Sequence, residues 1–197
     1  YESADRFDQA IDLYEQNLSD RLRVLGPNHP NTLTSRNNLA HAYESAGRFD
    51  QAIDLYEQNL SDRERVLGSN HPDTLVSRNN LATAYWSAGR PDEAIDLFEK
   101  NLADSERVLG PDHPDTLTSR NNLAHVYESA GRLEQAIDLF EKNLAVVLRI
   151  LGPDNPYTRI FRDNLADAYR AVGRDEDAAA LFDPPPDPDD TDTEAPS

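Results

Sequence analysis

The chain has 197 residues, 37 acidic and 19 basic, for a formal net charge of −18, and a field of that sign repels nucleic-acid phosphates and anionic lipid headgroups. It contains no cysteine, which excludes disulfides, thiolate metal sites and thiol nucleophiles together. No apolar run approaches the ~20 residues of a bilayer-spanning helix, and Tyr1–Arg6 lacks the basic and apolar regions of an export signal. The expectation is a soluble, cytoplasmic protein with no nucleic-acid or membrane partner.

One period organises everything that follows. His29-Pro30, His71-Pro72, His113-Pro114 and Asn155-Pro156 recur every 42 residues, and residues 29–70 share 30 of 42 positions with residues 71–112. Tyr1-Glu2-Ser3-Ala4 repeats Tyr43-Glu44-Ser45-Ala46, so residues 1–28 read as a partial unit with one complete helix from about Asp8 to Leu25. The full unit 29–70 opens with helix A, in which Leu33, Leu39, Ala40, Tyr43 and Ala46 form a stripe between Pro30 and Gly47. The residue before the proline is placed as the N-cap, with proline in the first helical position. Helix B carries Ala52, Ile53, Leu55, Tyr56, Leu60 and Leu67 and runs from about Asp50 to Gly68, where glycine permits the left-handed C′ conformation.

Units 71–112 and 113–154 repeat this pair. In the unit at 155–183, helix A runs from about Asn155 to Val172, and helix B starts at Asp175 and stops before Pro184-Pro185-Pro186. Val146-Val147-Leu148 stand where earlier units have Asp62-Arg63-Glu64, and Ile160-Phe161 where they have Thr34-Ser35. These are read as one extra apolar contact beside a shortened last helix. Residues 184–197, acidic and proline-containing, read as a disordered tail. Neither helix of a unit buries its stripe alone, so neighbouring units stack, giving an all-α fold.

The order Leu39-Ala40, Tyr43, Gly47, Phe49, Ala52, Tyr56 resembles the tetratricopeptide signature over residues 1–183. The helix B extension, Arg36, Arg78, Arg120 and Arg162 in place of an early tryptophan, and the phrases Asn37-Asn38-Leu39-Ala40 and Val66-Leu67-Gly68 resemble the 42-residue repeats of kinesin light chain and of bacterial arrays. The resemblance implies a right-handed superhelical solenoid of antiparallel helix pairs that binds a peptide or protein segment. Bacterial relatives of this kind often follow an ATPase module.

No catalytic constellation is present: there is no Gly-x-Ser-x-Gly elbow and no phosphate-binding loop. His29, His71 and His113 recur with the fold and read as structural, and no histidine pair has i, i+4 spacing, so neither a metal nor a cofactor is expected. The asparagine pairs of helix A stand out, because asparagine is a mediocre interior helix former. Asn38, Asn80, Asn122 and Asn164 are assigned to packing, and Asn37, Asn79 and Asn121 to gripping a partner's backbone.

One stripe per helix A then defines the candidate groove. It comprises Asn37, His41 and Glu44 with Thr34; Asn79, Thr83 and Trp86 with Val76; Asn121, His125 and Glu128 with Thr118; and Asp163 and Asp167 with Ile160 and Arg170. Trp86 is the single tryptophan and reads either as an aromatic anchor or as a cover over Pro91. The carboxylates of the stripe favour a neutral or basic segment. The competing readings are a self-associating array, with weak head-to-tail contact, and a regulatory segment of a larger ATPase-containing protein.

Overall fold

The computed structural model describes residues 2–182. Among the described residues the chain is helical throughout: α1 (Glu2–Leu25), α2 (Pro30–Ser45), α3 (Phe49–Leu67), α4 (Pro72–Ser87), α5 (Pro91–Val108), α6 (Pro114–Ser129), α7 (Leu133–Leu151), α8 (Pro156–Ala171) and α9 (Asp175–Ala180). It divides into two compact units, residues 1–139 and 140–197. The tail read from sequence lies outside the described residues.

Local chemistry sets the helix boundaries. Nδ1 of His29, His71 and His113 accepts the backbone N–H two residues on at 3.2 Å, and Asn155 Oδ1 accepts from Tyr157 at 2.9 Å. The histidines therefore cap helices as acceptors, with Nδ1 unprotonated. At the other end of α2, Gly47 (φ +73°) lets Arg48 N–H return to Tyr43 O at 2.9 Å while its own N–H meets Glu44 O at 2.9 Å. This closure needs the left-handed backbone that glycine adopts without strain.

The first helix departs from the sequence reading for the same reason. Asp5 occupies the place that Gly47 holds in Tyr43-Glu44-Ser45-Ala46-Gly47. Without a glycine to turn the chain, the backbone stays helical from Glu2 rather than beginning at Asp8.

In the first unit each helix from α1 to α6 packs on the next, and α2 also touches α4, as α4 touches α6. Ile11, Leu39, Tyr43, Ile53, Tyr56 and Leu81 share one buried cluster. Ala40, Ala52, Ala82 and Ala94 have no exposed surface; a methyl side chain there lets helices approach closely. In the second unit α8 packs on α9, and Phe140, Leu144, Val147, Leu165 and Tyr169 are buried. Of the residues read as an extra apolar contact, Val147 is buried and Ile160 is 53% exposed. Ile160 shares the outward register of Thr34, Val76 and Thr118, all exposed.

Arginines tie the helices together from inside. Arg36, Arg78 and Arg120 are buried. Arg78 Nη1 donates to Asp104 Oδ2 on the following α5 at 2.8 Å, and Nη2 donates to Glu64 Oε1 on the preceding α3 at 3.2 Å. Arg36 reaches Asp62 at 2.6 Å and Arg120 reaches Glu106 at 2.6 Å. Burial pulls the Asp62 carboxyl upward, but hydrogen bonds from Arg65 and Arg36 outweigh it and hold the group below the usual range. For Asp104 the Arg107 hydrogen bond leads, burial opposes it, and Arg78 adds to the lowering.

Removing the Arg78 guanidinium takes from Glu64 its arginine and leaves Asp104 with Arg107 alone, whereas removing that of Arg36 leaves Asp62 with Arg65. Arg78→Ala is expected to cost about 3 kcal/mol and Arg36→Ala less, because Arg78 alone of the two bridges two helices. Urea denaturation followed by circular dichroism checks this; equal midpoints for the two variants would remove Arg78 from its place as the principal tie.

Candidate binding groove

The face of helices α2, α4 and α6 that bears the repeated asparagines forms part of the first unit's surface. A cavity of about 340 Å³ is lined by Asn37, His41, Glu44 and Thr83, four residues read from the sequence, together with Ser45, Tyr56 and Asn80. A second, of about 200 Å³, lies among α4, α5 and α6 and includes Val76, Asn79 and Thr118. Trp86 lines neither cavity; it sits on the last turn of α4, 38% exposed, three residues beyond Thr83. Asn121, His125 and Glu128 are half-buried on α6.

The asparagines bridge successive A helices. Asn80 Nδ2 donates to Asn37 Oδ1 at 3.0 Å, and Asn122 Nδ2 donates to Asn79 Oδ1 at 3.3 Å. Asn80 and Asn122 thus have the packing role read from the sequence, and Asn37 and Asn79 take part in the same packing. With its carbonyl engaged, Asn37 presents N–H donors to the cavity it lines.

Charge on the groove is partly offset locally. His41 Nδ1 lies 4.0 Å from Glu44 Oε2, and His125 Nδ1 lies 3.3 Å from Glu128 Oε2. Glu44 also accepts from Tyr56 OH at 3.2 Å and Ser87 Oγ at 3.1 Å. Phe98 takes the place of Tyr56 in the next unit and Trp86 that of Glu44, whereas the unit after combines Phe140 with Glu128. On α8, in the second unit, Asp167 is bound by Arg170 at 2.7 Å and Asp163 lies 4.0 Å from Arg159. Those two carboxylates are therefore engaged by their own helix.

Sequence reasoning missed the asparagines of the B helices. Asn59 and Asn101 are buried, at 0% and 2% exposure. Asn101 Nδ2 donates to Ser119 Oγ at 3.2 Å while its Oδ1 accepts nothing. Both amide atoms of Asn59 are likewise without hydrogen bonds. A 42-residue recurrence of asparagine at 17, 59, 101 and 143 was the available signal.

Tyrosine–glutamate pairs link each B helix to the next A helix. Tyr85 OH donates to Glu57 at 2.5 Å, Tyr127 to Glu99 at 2.5 Å and Tyr169 to Glu141 at 2.7 Å, and Tyr43 donates to Glu15. An arginine packs over each ring: Arg48 on Tyr43, Arg90 on Tyr85, Arg132 on Tyr127 and Arg174 on Tyr169. Burial first, then the glutamate hydrogen bond and charge, push the phenols of Tyr85, Tyr127 and Tyr169 up to about 12.

Stacked helix pairs with this punctuation define a repeat protein of the tetratricopeptide class. The tetratricopeptide repeat model matches residues 1–61, 39–103, 87–145 and 120–183, and the chain belongs to that family. It is similar in structure to a kinesin light chain-like protein of Podospora anserina with nearly identical TPR-like repeats: TM-score 0.79 at 32% identity, covering 92% of this chain and 86% of that one. BtubC of P. vanneervenii has TM-score 0.77 at 25% identity, covering 90% of this chain and 70% of its own. Comparison with curated proteins returned no match. Repeats of this family mediate protein–protein interaction, on a fold that serves as a non-catalytic scaffold. Among the described residues there is no group of three or more histidines and carboxylates able to hold a metal, and no helix long and apolar enough to cross a membrane.

The raised phenols carry a pH signature. Their folded pKa lies above the unfolded value near 10, so the stability they contribute is present below pH ~10 and is lost as pH rises through about 12. Absorbance at 295 nm should show Tyr85, Tyr127 and Tyr169 ionising near pH ~12, accompanied by loss of helical circular dichroism. Glu99→Gln should bring the Tyr127 phenol down from that range. Ionisation of these three phenols with the helices intact would count against the pairs.

Proposed function

We propose that the chain holds a neutral or basic protein segment on the face bearing Asn37, His41, Glu44, Asn79, Thr83, Trp86, Asn121, His125 and Glu128. The observation that carries this reading is the 340 Å³ cavity in which Asn37, His41, Glu44 and Thr83 converge. It offers amide donors for a backbone and a carboxylate for a cation, without nucleophile or phosphate loop. Net charge of −18 supports a segment of opposite or no charge. Asp163 and Asp167 lie on α8 in the second unit and do not line this cavity.

Trp86 supplies a rigid apolar surface one turn beyond Thr83, and aromatic anchors dominate interface energies. A peptide selected from a random library should shift Trp86 fluorescence, bind more weakly as salt rises, and lose roughly 2 kcal/mol on Trp86→Ala, more than on Asn79→Ala. Unchanged affinity after Trp86→Ala, or selection of strongly acidic peptides, would sink this reading.

A further inference from the structure

The 200 Å³ cavity among α4, α5 and α6 has a built-in precedent for its occupant. Its wall includes Leu75, Asn79, Asn101, Ser105, Asp115 and Thr118. Ser105 stands at the position that earlier units fill with Arg21 and Arg63. In those units the guanidinium crosses to the first turn of the next A helix: Arg21 Nη1 donates to Asn31 O at 2.8 Å and Arg63 Nη1 to Asp73 O at 2.7 Å. Asn31 and Asp73 correspond to Asp115.

Ser105 is too short to make that reach, and it lines the cavity together with Asp115. Asn101, 2% exposed, lines the same cavity with an Oδ1 that accepts no hydrogen bond. Asp115 adds a half-exposed carboxylate 3.8 Å from His113 Nδ1. Thr118 Oγ donates to Pro114 O at 3.0 Å and keeps acceptor capacity. The wall is therefore rich in acceptors, with Leu75 and Val76 beside them to cover an alkyl stem.

We infer that this cavity is a socket for an arginine side chain of a bound protein segment, its guanidinium taking the place that Arg63 occupies in the preceding unit. The inference rests on the groove reading and deepens it by naming the residue the segment must carry. A guanidinium suits the socket better than an ammonium because its planar fork can meet the Asp115 backbone oxygen and the Asp115 carboxylate from one centre. Arg63 shows what burial does to such a cation: desolvation lowers its pKa, and the Asp73 charge opposes that loss. Asp115 offers the corresponding charge.

The probe is N-acetyl-arginine amide, titrated into the isotope-labelled full chain and followed by amide chemical shifts, with the lysine and citrulline amides as controls. Saturable shifts at Ser105, Asp115 and the Asn101 side-chain amide are expected for the arginine probe. The neutral citrulline probe should leave them unmoved, and lysine should bind more weakly. Ser105→Arg supplies the guanidinium internally and should weaken the arginine probe by about tenfold or more, the loss of a charge-assisted hydrogen-bond set. Asp115→Asn, which keeps the backbone carbonyl, should weaken it by a smaller factor. Equal responses to arginine and citrulline, or an unaltered response in both variants, would overturn the socket. Library peptides that bind through Trp86 but show no arginine preference would overturn the socket and leave the groove reading standing. Arginine-amide shifts at Ser105 with no peptide captured would uphold the socket and defeat the groove reading.

Discussion

A guanidinium with 1% of its side chain exposed is expensive to strip of water, and Arg78 is tolerated because Asp104 and Glu64 meet it from two different helices. That requirement shapes the units around it. The carboxylates must project from the B helices on either side, which sets how α4 seats between α3 and α5. Asp104 also holds Arg107, and Arg107 reaches Asn70 in the preceding loop at 2.7 Å. The equivalent chain runs from Arg36 through Asp62 and Arg65 to Asn28. Loop, B helix and A helix are thus connected by charge-assisted hydrogen bonds, beneath which alanines allow close packing.

With the scaffold held by residues that recur every 42 positions, the exceptions acquire meaning. Asp5 in place of glycine removes a turn and lengthens α1. Trp86 in place of Glu44 and Glu128 sets an indole on the last turn of α4. Ser105 in place of an arginine leaves a cavity with acceptors on its wall. Each is a single substitution whose effect is interpretable because the neighbouring unit shows the unedited arrangement.

The groove face has a mixed electrostatic character. Its carboxylates do not stand as bare charges: Glu44 receives two hydroxyls, and Glu128 faces His125. In the proposed grip such a surface would orient a polar backbone, with most of the affinity coming from anchors that fill space. The asparagine bridges between successive A helices hold that face together.

The sequence by itself determined the helix inventory, because proline, histidine and glycine at fixed intervals act through local backbone geometry that needs no tertiary partner. It also placed Asn37, His41 and Glu44 on one stripe and Asn79, Thr83 and Trp86 on another, since helical spacing alone decides which residues of one helix share a face; that Thr83 meets the first three is decided by packing. What neighbouring helices do to those side chains was not legible. Asn37 and Asn79 accept bonds from residues 43 positions away, and the value of Ser105 lies in what Arg63 does one unit earlier. The buried asparagines of the B helices were visible as a period but not as unsatisfied acceptors. Whether a polar atom is satisfied depends on distances between helices, and only the packed structure sets those distances.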